Sequence, residues 1–150
     1  MNKNEIIQIQ GTAYKKMTKQ LLTACDLAAL IPKKDSRIGI KPNLVAPVPA
    51  EFGGTTHPEV VAGIVEYLQE NGFTNIRIME GSWVGDRTEE SFEVCGYRTL
   101  SEQYGVPLID AQKEKSIPVL CADLELQICE CARTVDFMIN VPVMKGHCQT

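Results

Sequence analysis

Two histidines and two lysines of this chain stand where strands end or a helix begins: Lys41, His57, Lys145 and His147. A histidine exchanges a proton near neutral pH, and a lysine ammonium holds a carboxylate or phosphate. Lys41 precedes Pro42, which presses it into an extended conformation and aims its ammonium past the strand end. Asn43 follows directly. Gly53-Gly54-Thr55-Thr56 leads into a helix. It reads either as a flexible entry with a cap or as an anion site built on backbone N–H groups and the helix dipole. It lacks the Lys-Ser/Thr ending of a P-loop and the spacing of a dinucleotide fingerprint. Glu80 ends an apolar strand, where a carboxylate needs a partner. An ion pair with Lys41 or Lys145 would satisfy it and orient that lysine, with Ser82 close by in sequence. The expected catalytic groups are therefore His57, His147 and Lys145. The expected ligand-binding groups are Lys41, Asn43, Gly53, Gly54, Thr55, Thr56, Glu80 and Ser82. His57 also reads as a helix cap and His147 as a surface residue.

The six cysteines, Cys25, Cys95, Cys121, Cys129, Cys131 and Cys148, form no CxxC pair and no disulfide framework. They read as reduced thiols, with no metal ligands expected among them. Cys129 and Cys131, two apart on an expected strand, would face one side as small apolar residues. Cys148 stays ambiguous beside the lysine–histidine stretch. Trp83 reads as a loop anchor or an aromatic lid, and Asp86 and Arg87 as surface capping residues.

Residues 5–10 are isoleucine-rich and read as a first strand. Residues 13–30 carry apolar side chains at helical spacing. Further strands are expected at 37–40, 75–80, 106–110 and 136–141, with 117–120 and 124–131 as a ribbon or edge pair. Pro107 marks the start of its strand or an edge position. Residues 43–57 form a long loop of the kind that carries function. The next helix has Val60, Val61, Ile64, Val65 and Leu68 on one face, Thr56 with Glu59 as a capping box, Pro58 in the first turn and Gly72 past the end. Short helices are expected at 88–95 and 98–104. This alternation predicts an α/β fold in three layers, a mostly parallel sheet of about five to six strands with helices on both faces. In such a sheet, ligands bind outside the carboxyl ends of the strands. The ends of four strands and the helix start gather the named residues on one rim.

The chain has 44% hydrophobic and 23% charged residues and a net charge of -4, an ordinary globular composition. No basic block points to nucleic acid. No apolar run reaches membrane-span length, and no secretory signal opens the chain, so a cytoplasmic protein is expected. No helix follows the last expected strand. The 150 residues are thus expected to be the front part of a longer protein, with an uncovered strand edge through which a second copy would pair.

The motifs Ile40-Lys41-Pro42-Asn43-Leu44-Val45, Thr55-Thr56-His57-Pro58-Glu59-Val60-Val61, Glu80-Gly81-Ser82 and Ile139-Asn140-Val141-Pro142-Val143-Met144-Lys145-Gly146-His147 resemble the domain-of-unknown-function 362 family, in order from about residue 37 onward. Gly146 stands where members commonly have Thr or Ser. The resemblance implies a longer chain, often with a ferredoxin-like segment, and so an iron–sulfur cluster outside these residues. A more distant fold-level likeness to the N-terminal domain of nickel-pincer lactate racemases implies a pincer-type isomerase. Three functions follow as expectations, and whether the chain is an enzyme stays open among them. One is a small-anion site serving an iron–sulfur-linked redox protein. The second is a non-enzymatic metabolite-binding or electron-transfer module. The third is the isomerase.

Overall fold

The computed structural model describes residues 4–146, so the expectations for His147 and Cys148 fall outside the described residues. Six strands appear in chain order: β1 (Ile38–Pro42), β2 (Ile76–Glu80), β3 (Leu108–Asp110), β4 (Ser116–Cys121), β5 (Leu124–Cys129) and β6 (Phe137–Val141). The helices are α1 (Tyr14–Ala24), α2 (Leu27–Leu30), α3 (Pro58–Glu70), α4 (Thr88–Val94), α5 (Tyr97–Tyr104) and α6 (Glu130–Arg133). Four strands form one parallel sheet in the order β3-β2-β1-β6, and β4 and β5 form a separate antiparallel ribbon. The fold is α/β, with the sheet narrower than five strands because the ribbon stays apart from it.

Chirality decides which face each connection covers. The steps from β1 to β2 to β3 run one way along the sheet, so right-handed crossovers put α3 and the α4–α5 pair on one face. The return from β3 to the far side of β1 runs the other way, so its connection, the ribbon and α6, lies over the opposite face. Side-chain alternation fits this. Ile38, Ile40, Ile76 and Ile78 join one core with Val61, Val65 and Leu68 of α3, Phe92 of α4 and Tyr97 of α5. Burying each large aliphatic side chain there is worth roughly 1.5–3 kcal/mol. The opposite face carries Gly39, Met79 and Met138. A Cβ at Gly39 would stand 2.7 Å from the Met79 methyl carbon and 2.9 Å from Val135, so glycine lets Met79 lie across β1.

Three local expectations need correction. Residues 5–10 form no strand, and Ile6 is 91% exposed. β-Propensity without a neighbouring ladder does not make a strand. The helix expected over 13–30 breaks at Asp26, which adopts the left-handed conformation (φ 50°, ψ 49°). The break turns α2 so that Leu27 and Ala28 pack on the core and the Ala28 N–H reaches the Tyr67 hydroxyl at 3.2 Å. Cys131 lies in α6 and not on a strand, because the chain leaves the ribbon at Cys129. No helix among the described residues is long and apolar enough to cross a membrane.

Candidate functional site

β1 leads to β2 on one side and has on its other side β6, which is reached from β3 in the opposite direction, so the space beyond the carboxyl ends of β1 and β6 lies where the strand order reverses. The long loop from Asn43 to His57 rises there and is tied down by its own threonines. The Thr56 hydroxyl donates to the Val141 carbonyl at the end of β6 (2.7 Å) and accepts from the Asn43 N–H (2.8 Å). The Thr56 N–H returns a bond to the Asn43 carbonyl, and the buried Tyr97 hydroxyl donates to the Thr56 carbonyl. Burial pushes the Tyr97 phenol up, so it remains a donor. Thr55, also buried, donates to the Val48 carbonyl, which the Cys95 thiol contacts at 3.2 Å. Thr56 therefore braces loop and sheet and does not cap α3.

His57 takes the cap instead. Its Nδ1 accepts from the Glu59 N–H at 3.3 Å, and Pro58 begins the helix with no donor of its own. The His57 ring lies on Tyr14 of α1 at 4.3 Å between centroids. Lys145 reaches the same loop and donates to the Gly54 carbonyl at 2.6 Å, where the Asn43 amide also donates at 3.4 Å. Gly53 has positive φ (77°), and a Cβ at Gly53 or Gly54 would meet nothing within 4 Å, so this corner is open.

Lys41 and Glu80 form a second group. The Lys41 ammonium lies 3.2 Å from both Glu80 oxygens and 3.2 Å from the Pro42 carbonyl. Glu80 is only 4% exposed, yet it also accepts from the N–H groups of Leu44 (3.0 Å) and Gly81 (2.8 Å). A buried carboxylate with this many donors is fully satisfied. It fixes the direction of a lysine whose side chain stays 44% exposed. The pair borders a cleft of about 220 Å³ whose walls include Met79, Ala111, Cys129, Cys131 and Met138. Ser82 is buried and turned inward, donating to the Leu44 carbonyl (2.7 Å) and contacting the Ser91 hydroxyl. It joins the β1 and β2 loops, as does the Trp83 N–H bond to the Val45 carbonyl. The Trp83 ring is 62% exposed. Neither Asp86 nor Arg87 caps α4, whose Thr88 N–H finds the Gln112 side chain.

Lys41, His57 and Lys145 thus engage separate partners: Lys41 engages Glu80, His57 engages Tyr14 and Glu59, and Lys145 engages Gly54. The wall of methionines and cysteines beside Lys41 escaped the sequence reading, because its members come from β2, the ribbon end, α6 and β6. The only hint was a pair of cysteines two apart. A larger hollow of about 620 Å³ lies beside α1, away from the strand ends, and its Lys15 and Lys19 are already paired with Glu66.

Residues 38–150 match the family described as Domain of unknown function (DUF362). The chain belongs to this family. Comparisons with curated proteins and with solved structures find no match. The DUF362 match begins at the first residue of β1 and so takes in every strand of the sheet and the residues at their carboxyl ends. An iron–sulfur cluster, expected from the resemblance to lie outside these residues, needs about four cysteine thiolates. Among the described residues, no three His, Cys, Asp or Glu side chains are grouped as metal donors. These described residues do not fit a cluster.

Proposed function

We propose that this DUF362 chain binds a small anionic metabolite, a carboxylate or phosphate, through Lys41 at the carboxyl edge of its sheet. The carrying observation is the half-exposed Lys41 ammonium held over the cleft by buried Glu80. An arriving anion replaces the Pro42 carbonyl as the third acceptor of that ammonium, while Glu80 keeps it in place. The walls of Met79, Ala111 and Met138 then receive the apolar body of the ligand. This reading is binding without assigned chemistry. In a longer iron–sulfur-linked protein, the same site would present the metabolite to a redox partner.

Calorimetric titration with a panel of small carboxylates and inorganic phosphate tests it. At least one should bind wild type, and Lys41→Gln should weaken that ligand by about 10–100-fold, the worth of one charged hydrogen bond. Unchanged affinity in the variant would remove Lys41 from the site. β6 lies at the sheet edge, and we propose that a second copy pairs there. A mass in light scattering that stays monomeric as concentration rises would contradict this pairing.

A further inference from the structure

The inner wall of the Lys41 cleft is rich in sulfur. Met79 of β2, Cys129 at the end of β5, Cys131 of α6 and Met138 of β6 all line it. Four different elements supply them, so helical or strand periodicity cannot account for the grouping. The thiols are free, and Cys131 is 5% exposed. The Cys129 thiol rests 3.7 Å from the carbonyl of Ala111, another lining residue. Met79 is nearly buried, while Met138 is 41% exposed, so the cluster has a closed inner end and an open outer one. Burial pushes the Cys131 thiol up, with the neighbouring Cys129 adding to the shift. A thiol in that state is a poor nucleophile, but a bound soft cation displaces its proton outright.

We propose that this wall is a site for cuprous ion, Cu(I). Two thiols and two thioethers are the donor chemistry that selects a soft monovalent cation over zinc, magnesium or calcium. The absence of any grouping of three His, Cys, Asp or Glu donors among the described residues argues the same way, since zinc would need such a set. On binding, each thiol gives its proton to solvent and each sulfur lends an electron pair to the metal. Nothing is oxidised. The dithiolate complex carries one negative charge, and Lys41 on the same cleft offsets it. The ammonium is an electrostatic neighbour there and not a ligand, so the site does not depend on Lys41 holding an anion.

Competition against bicinchoninate under anaerobic, reducing conditions tests the proposal. The protein carries Cys25→Ser, Cys121→Ser and Cys148→Ser, and Cys95 is kept because it is buried against the Val48 carbonyl, so that Cys129 and Cys131 are the remaining thiols at the cleft. One Cu(I) per chain is expected, with affinity falling by about 100-fold in Cys129→Ser and about tenfold in Met138→Leu. Both positions are partly exposed, and circular dichroism confirms that the variants fold. Lys41→Gln should retain the metal, which separates this site from the anion site. Unchanged Cu(I) affinity in both sulfur variants, or zinc displacing Cu(I) at equal concentration, would overturn the proposal.

Discussion

Glu80 shows how one side chain organises a strand end. It receives Lys41, the Leu44 N–H and the Gly81 N–H while itself buried. Replacing it with alanine orphans two backbone donors and releases the ammonium, so Glu80→Ala should cost about 3 kcal/mol in chemical denaturation. Lys41→Gln leaves those backbone bonds in place and should cost well under half of that. Equal losses would mean that Glu80 matters only through the ion pair. The sequence already paired Glu80 with one of two lysines, because a carboxylate closing a buried strand has few alternatives. It offered nothing to choose Lys41 over Lys145, since that choice follows from strand order. His57 was legible both as a cap and as a proton-moving group, and the structure shows its Nδ1 engaged by the Glu59 N–H.

At the scale of elements, α1 seats on α3 through a polar cluster and one glycine. Glu66 accepts from Lys15 (2.9 Å), Lys19 (3.3 Å) and the Tyr104 hydroxyl (2.7 Å). The Lys15 ammonium, then Tyr104, holds the Glu66 carboxyl down at about 2. A carboxyl depressed in the folded state stabilises it fully above its unfolded value near 4.5. That contribution, about 1–2 kcal/mol once solvent screening is counted, fades as pH falls toward 2. Melting temperature should therefore drop over this interval in wild type and drop less in Glu66→Gln. Parallel curves would exclude Glu66 as the cause. A Cβ on Gly63 would stand 2.7 Å from the Lys15 carbonyl and 2.9 Å from the Thr18 Cβ. Gly63→Ala should thus destabilise by about 1–3 kcal/mol, although alanine is the better helix former. α3 was legible from its apolar stripe and from Pro58. The break at Asp26 was not, because it serves the tertiary packing of Leu27 and Ala28 and leaves the local periodicity intact.

Across the whole molecule, the parallel sheet was legible because β1, β2 and β6 each alternate with helical or loop segments of crossover length. What pattern reading could not supply was which strands share a sheet. The ribbon has strand-like sequence but pairs only with itself, and residues 5–10 lack a ladder to join. The same limit hid the cleft, whose walls come together only when the chain returns from β3 across the sheet to β6. The proposed anion meets Lys41 in that cleft, and methionine methyl groups report on it directly. Met79 and Met138 line it, whereas Met17 lies on α1 and Met144 is fully exposed. In a methyl-labelled sample titrated with the tightest-binding small carboxylate or with inorganic phosphate, the Met79 and Met138 signals should move together and saturate. In Lys41→Gln the same movement should need about 10–100-fold more ligand. Movement confined to Met17 or Met144, or an unchanged response in the variant, would contradict the assignment of the site.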